Sequence, residues 1–594
     1  KKLHRRIKGM IFTRSAKNIS IQFWQYLVSG LFVSVAITIS EFLDSIIVSN
    51  LLGEHGLAIV NLGLPVMLAI NVIGMLFGIG PSIAFGNALG QSNRQIANKI
   101  YTYTMIISMG ITILFSALGL FFCRQISAVL AGNGGVLQPE LELFLPYLFL
   151  GAPVIILLTL LCQFIQADGR PKTATALVLC SNVINVIMDA VYIQGAGMGA
   201  EGSSLGTLTG YAVAMLVLVV LLASKKLSLP SAQISFVDYR LVLQALPKGF
   251  STAMSQSLFL VQVFFINYLA NQSDSANGVA LISLGLGINS LFCVIITGVT
   301  SSMPPLLSVL QGAGDFTGRR LVLKRSFLLI TGASSVMLIL LWFFPNIIFD
   351  LYGLGSRMGV EGEVTIRMFS AAMVAVSITT FTVKHLQLLD KIRMAIVISA
   401  MRNALLLIPL IYVFHLSYGL VGISYGYFVG NLLTALFALC QALYISRNSK
   451  GALRGPLMLP TRGDNNLFEG SIAFDKMQAV QLSVHVQKTL LEQGETKKTA
   501  LFLAVAVEEL AMLTIERQRN VRPEDKIDVF ITKLEKELRL SFRSLGKPFS
   551  PSDYLLESGA QENYSNLWML ATLADTFQYE RILLMNHTSF YLKN

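Results

Sequence analysis

Charge is what this sequence has least of. Only 13% of its 594 residues are Asp, Glu, Lys or Arg, about half the share in a soluble globular domain, which excludes a water-soluble chain of several domains. Its five cysteines, Cys123, Cys162, Cys180, Cys293 and Cys440, stand apart in or beside apolar runs, with no CxxC or Cys/His spacing. A disulfide scaffold and a zinc module are excluded on that ground. The 47 glycines and 17 prolines are scattered, so collagen-like and low-complexity chains are excluded too. No GxxxxGK[ST] run cradles a phosphate, so transport driven by ATP has no support. The excess of 45 Lys+Arg over 33 Asp+Glu reports orientation in a membrane before it reports a polyanion, and no nucleic-acid partner is needed.

What is present is apolar length. Hydrophobic residues make up 54% of the chain and the mean hydropathy is +0.64. A spanning helix needs about 20 apolar residues. Residues 18–446 break into twelve such runs, near 20–49, 56–88, 94–123, 139–165, 171–194, 200–223, 241–270, 277–310, 320–349, 362–388, 394–414 and 419–446. Loops after even-numbered runs carry the cations, among them Arg170, Lys172, Lys225, Lys226, Arg319, Arg320, Lys391 and Arg393. Positive charge stays inside, so both termini are expected in the cytoplasm of a bacterial cell, with the runs in its inner (plasma) membrane.

The division that follows is a basic tail over 1–19, six spans over 20–223, a loop over 224–240, six more spans over 241–446, a Gly/Asn/Ser/Pro-rich linker over 447–470 and a soluble domain over 471–594. The halves repeat at an offset of about 220 residues. GLAIVNLGLPV at 56–66 parallels GVALISLGLGI at 278–288, and GAEGSSLGTLTG at 199–210 parallels GLVGISYGYFVG at 419–430. A six-span repeat crosses in one direction twice, so the fold expected is all-α and polytopic, twelve helices in two pseudo-symmetric bundles with a cleft between them, plus a C-terminal α/β sandwich. In that domain KKTALFLAVAVEELAMLTIERQ and SNLWMLATLADTFQYER read as helices, IDVFITKLEKELRLSFRS as a β-hairpin and ILLMNHTSFYL as a closing strand.

Carboxylates in the bilayer are expensive and persist where they face a partner, a cavity or an ion path. The first half has Glu41 and Asp44 on run 1 and Asp189 on run 5; the second half has none buried in a run. Asn182, Asn185, Asp189 and Tyr192 recur at helical spacing and share one face, and Thr207 and Thr209 stand among the glycines of run 6. Carboxylate, amide and hydroxyl oxygens suit Na+, and two converging carboxylates equally suit H+. Helix-to-helix glue is the plainer reading of the amides and hydroxyls.

FLDSIIVSNLLGEHGLAIVNLGLP at 42–65, GIGPSIAFGNALGQ at 78–91, QADGRPKTATALVLCSNVINVIMD at 166–189, GMGAEGSSLGTLTG at 197–210, Leu246-Pro247 and RNALLLIPLIYVF at 402–414 together resemble the multidrug and toxic compound extrusion (MATE) transporters. The resemblance covers roughly 20–446. It implies two six-helix lobes that rock about a cleft and export small, often cationic or amphipathic compounds against Na+ or H+ entry, with no resident cofactor. It also implies a cation site on Asp44, Asn185, Asp189 and Thr207, with Glu41, Asn182 and Tyr192 as further polar contacts. Where some relatives use a second-lobe carboxylate on run 7, this chain has STAMSQSLFLVQVFF, so Gln256 or Gln262 is nearest. Gln256, Tyr425 and Tyr427 are candidates for the substrate path. A flippase for lipid-linked precursors is the alternative within transport; it would want a cleft rich in Arg or Lys, and the first-half runs hold few.

Residues 471–594 resemble the ATP-binding module of the GHKL superfamily, in its anti-sigma-factor serine kinase-like branch, through AVEELAMLTIE at 506–516, the hairpin and RSLGKPFSP at 543–551. Active members carry Glu-x-x-x-Asn for magnesium and an Asp for adenine. Here Glu509 is followed by Leu513, and Ser544 holds the Asp position. Leucine offers no oxygen to a hard cation, so a vestigial module is expected, kept to regulate the transporter or to bind a cytoplasmic protein. A membrane-anchored signalling protein with a kinase-like output is the rival reading, and those two substitutions oppose it.

Overall fold

The computed structural model describes residues 12, 14–132, 135–224, 239–273, 277–351, 359–461, 466–518, 522, 525–534, 537–556, 565–574 and 576–593. Most of the basic tail, and most of the loop placed at 224–240, lie outside them. The membrane part runs α1 (Lys17–Gly90), α2 (Arg94–Phe121), α3 (Cys123–Ala131), α4 (Gln138–Ala167), α5 (Pro171–Ala190), α6 (Glu201–Ala223), α7 (Tyr239–Ser273), α8 (Asn277–Gly312), α9 (Phe316–Phe343), α10 (Asn346–Leu351), α11 (Gly359–Leu388), α12 (Ile392–Ala400) and α13 (Leu407–Arg447). Single π turns, Val191–Gly195 and Met401–Leu405, follow α5 and α12.

Ten of the described helical stretches are long and apolar enough to cross a membrane, against twelve runs in the sequence. The difference lies in two places. At 1.5 Å per residue the 74 residues of α1 would reach about 110 Å, far beyond a hydrocarbon core of about 30 Å. The helix is broken at Gly53, with φ 68° and ψ −161°; α13 is broken at Gly419, with φ 61° and ψ −140°. Glycine reaches that left-handed region without a Cβ clash. Runs 1 and 2 therefore share α1, and runs 11 and 12 share the stretch from α12 through α13.

The halves meet on one side and part on the other. Near the end of α1 that leads to the C-terminal domain, Gly80 packs on the Ala245 carbonyl and Gly249 on that of Leu76, approaches with no room for a Cβ. Ser34 meets Thr297 at 2.5 Å. Two turns farther along α1, Glu41, Phe42, Leu43, Ser45 and Ile46 are exposed. Consecutive exposed positions cover more than one face of a helix, so here α1 has left the second half.

The C-terminal domain carries a short hairpin, β1 (Leu453–Arg454) and β2 (Leu459–Pro460), then β3 (Asn466–Ala473), α14 (Lys476–Glu492), α15 (Lys497–Arg517), β4 (Lys526–Lys533), β5 (Glu537–Ser544), α16 (Pro551–Leu556), α17 (Ser565–Leu573), β6 (Thr576–Ile582) and β7 (Met585–Lys593). The five-stranded sheet has the order β3-β4-β5-β7-β6 and is antiparallel throughout. The β4–β5 hairpin falls where its alternation places it. One correction is due: the segment read as one helix through TFQYER is helical only over Ser565–Leu573, and Thr576–Ile582 is a strand at the sheet edge. Phe577 and Tyr579 at period two, with Thr576 before them, favour a strand, and pairing with β7 decides it.

Both faces of this sheet are covered. Ile527, Val529, Ile531, Leu538, Leu540 and Phe542 pack under α14 and α15. The alternate positions Asp528, Arg539, Ser541, Arg543, His587 and Ser589 are buried as well, because that polar face lies against the membrane part. Asp315, at the α8–α9 turn, accepts from Arg14 at 3.1 Å and Arg543 at 3.0 Å while capping α9 through the Gly318 amide. Arg14 also pairs with Asp528 at 2.6 Å. Arg539 donates to the Gly312 carbonyl. On the first half, Tyr591 donates to the Gln91 carbonyl at 2.8 Å, Ser92 meets Ser589 at 3.0 Å, and Leu583 packs against Gly169. One sheet face thus bridges loops of both halves.

Two carboxyls in this seam titrate high. Burial pushes Glu580 up to about 7, with Arg94 opposing and Asp168 adding to the shift; burial pushes Asp168 up to about 6 against Arg94 and Arg170. A carboxyl whose pKa is raised by docking stabilises the docked state fully below its free value, about 4.3 for Glu, and that contribution is lost as pH rises through the docked value. The docked sheet should therefore loosen on going from about pH 5 to about pH 8, and Glu580→Gln should flatten that trend. Hydrogen exchange in β6 and β7 of both proteins checks it; identical pH profiles would refute it.

Candidate functional site

Asp189 ends α5 and is fully buried. Its position follows from α6, where Gly206 faces the Asp189 carboxyl and Gly210 faces Asn185; any side chain at either glycine would occupy that space. Asn185, one turn earlier, donates from Nδ2 to Asp189 Oδ1 at 3.3 Å and to Thr207 Oγ1 at 3.3 Å. Thr207 in turn donates to the Ser203 carbonyl. Asp44, from α1, accepts from Ser203 Oγ at 3.2 Å, and its carboxyl lies within hydrogen-bond reach of Asp189. Three helices thus bring Asp44, Asn185, Asp189 and Thr207 to one point.

The other expected contacts stand farther off. Glu41 is exposed one turn before Asp44. Tyr192 meets Thr209 at 3.2 Å rather than a carboxylate, and Asn182 Nδ2 is buried without a partner. Ser203 escaped the sequence reading, although it lies four residues before Thr207, on the same helical face. A carboxyl pair with an amide and hydroxyls can hold a proton between its oxygens, or a small hard cation among them. Gly206→Ala should push the Asp189 carboxyl off this point and lower ion-driven flux at least about tenfold, since little room exists for a methyl group in a packed interior; flux assays in vesicles would show it.

The second half repeats the packing without the acid. Gly426 and Gly430 of α13 pack on Ile411 and Leu407, where their counterparts Gly206 and Gly210 pack on Asp189 and Asn185. Of the candidates for the substrate path, Gln256 and Tyr425 are half-buried. Tyr427 is buried and stacks on Phe369 at 4.3 Å between ring centroids. In the C-terminal domain Leu513 is fully buried among the helices and sheet, Ser544 is buried at the end of β5, and Glu509 accepts from Asn566 at 2.9 Å.

Helices of this length and apolarity suit a multi-pass membrane protein, and the comparisons name its kind. The MatE family profile matches residues 31–191 and 247–413, so the chain belongs to the MATE family. It is similar to the FAD transporter of Shewanella oneidensis, 24% identical over 62% of this chain and 82% of that one. It is also similar to the multidrug export protein MepA of Staphylococcus haemolyticus, 22% identical over 65% and 85%. Among solved structures, the Vibrio cholerae MATE transporter VcmN aligns with a TM-score of 0.67 at 19% identity, over 73% of this chain and 98% of that one. The family match stops short of the C-terminal α/β domain.

Proposed function

We propose that the chain is a secondary antiporter that exports small organic compounds in exchange for Na+ or H+, with Asp44 and Asp189 as the coupling pair and Asn185 and Thr207 completing the site. The observation that carries this is the buried Asp189 carboxyl facing Asp44 from another helix; an ionisable pair is costly inside a membrane without an ion to handle. The breaks at Gly53 and Gly419 divide the ten stretches into twelve crossings, six per half. The cationic loops then put both termini and the C-terminal domain in the cytoplasm. With that orientation the halves are closed inwards and open outwards. An ion and a substrate that prefer opposite states drive the halves between them. Similarity to a FAD transporter and to MepA supports export of organic compounds and leaves the class of compound open.

The test is flux in proteoliposomes under an imposed Na+ or H+ gradient. Uptake or release that follows one gradient and not the other names the ion; flux indifferent to both removes the antiporter reading.

The C-terminal domain is proposed to be regulatory, since one sheet face touches loops of both halves. A degenerate GHKL-like module is the reading its residues support: Leu513 is sealed in the core, Ser544 is spent in the sheet, and Glu509 is tied to Asn566. Millimolar Mg-ATP should leave the melting temperature of the full chain unchanged. A ligand present at 100 times its Kd would add about 2.7 kcal/mol, so a clear upward shift would restore the nucleotide-binding reading.

A further inference from the structure

Where the first half presents acids, the second half presents cations. Lys384 on α11 and Arg402 in the π turn after α12 lie inside the second bundle. Lys384 Nζ donates to Thr252 Oγ1 at 3.0 Å. Arg402 donates to Thr380 Oγ1 at 2.6 Å, to Ser255 Oγ at 2.9 Å and to Asn403 Oδ1 at 3.4 Å. Gln387 donates to Ser251 and Thr252 at 2.5 and 2.8 Å. Thr380 and Lys384 are four residues apart on one face, as Thr252 and Ser255 are three apart on another, so the two cations flank one polar spot. It lies one turn beyond Gly249, where α7 packs on the first half.

Every acceptor on these two cations is neutral. Among the second-half carboxylates whose side chains are described, Glu363 pairs with Arg367, Asp390 with Lys248 and Asp315 with Arg14 and Arg543, while Glu361 is exposed at the start of α11. A guanidinium has five N–H groups and an ammonium three; three and one of them are used here. Hydroxyl and amide oxygens meet the geometry of a cation without cancelling its charge, and two like charges side by side in a membrane interior are costly until an anion joins them. Both side chains remain partly accessible, so a ligand can reach them. A π turn holding one of them fits a functional position better than a packing one.

We propose that Lys384 and Arg402 form an anion-receiving subsite of the transport cleft, and that the exported compound carries a carboxylate or phosphate group held there. Arg402 supplies the planar fork that matches either group, Lys384 the point charge, and Gln387 and Thr252 the neutral rim. This deepens the antiporter reading and rests on it: the coupling cation would act on the acidic half, the substrate anion on the basic half.

The experiment uses the full chain in nanodiscs of zwitterionic lipid, with three probes that share one octyl tail: nonanoate, octyl phosphate and octyltrimethylammonium. Calorimetric binding is measured after subtraction of empty nanodiscs. The wild type is expected to bind one or both anions in preference to the cation. The preferred head names the group, carboxylate or phosphate. Arg402→Gln and Lys384→Gln should each weaken anion binding about tenfold or more, and Arg402→Lys should keep most of it. Glutamine still reaches Thr380 or Thr252, so the variants should fold. If R402Q melts early, K384Q and R402K decide alone. Equal binding of the cation by the wild type, or wild-type anion affinity in the double glutamine variant, would overturn the proposal. A wild type that shows gradient-driven flux and no anion binding defeats the subsite alone, and a wild type that binds the anions without gradient-driven flux defeats the antiporter alone.

Discussion

Asp189→Asn should abolish gradient-driven flux and leave the chain folded in the bilayer. The amide has nearly the shape of the carboxylate and is cheaper to bury, so Asn185 and Thr207 keep their places and stability should hold or rise. The lost quantity is charge. Swinging a two-state equilibrium from 1:99 to 99:1 takes about 5.5 kcal/mol of differential affinity, and a neutral amide facing Asp44 has no comparable preference for a cation over an empty site. Asp44→Asn, which keeps Ser203 as a partner, should uncouple in the same way. Flux in proteoliposomes and melting in detergent report the two halves of this expectation. Full coupling in both variants would remove the site.

The second large effect is expected at Asp315. Burial alone would raise its carboxyl pKa, but Arg14 and Arg543 hold it below the ordinary range. Asp315→Asn leaves Arg543 without its acid and takes one of three acids from Arg14, in a seam where both cations are buried. Breaking a buried pair by removing one partner typically costs about 3–5 kcal/mol. The expected result is a C-terminal domain that detaches, seen as faster exchange in β4 and β5, and, because the bridge between halves is released, a changed rate of substrate export. Asp315→Glu should recover part of both. Unchanged exchange in the asparagine variant would mean that the sheet is held by other contacts.

The membrane part was legible because its signals are local. Asn185 and Asp189 share a face by spacing alone, and the glycines of α6 announced a close approach whose target was on the neighbouring helix. That Asp44 meets Asp189 across 144 intervening positions was carried by the resemblance, and the structure supplies the contact. The cationic pair was hidden for a different reason. Lys384 and Arg402 are visible in apolar runs, but a search for carboxylates passes over them, and their shared spot depends on the packing of α7, α11 and α12. The docking of the sheet could not be read at all. Asp528, Arg539 and Arg543 stand between apolar residues as a solvated strand face does, and their partners Arg14, Gly312 and Asp315 lie hundreds of residues away.

The sheet face that touches loops on both halves has a kinetic meaning. If the halves must separate on that side for the cleft to face the cytoplasm, Tyr591 and Leu583 cannot follow Gln91 and Gly169 while Arg539 and Arg543 follow Gly312 and Asp315. One set of contacts has to let go in every round trip. The ceiling on turnover would then be set by how often this latch slips, a property of the α/β domain and of whatever strengthens or weakens its grip, rather than by events at the acidic pair.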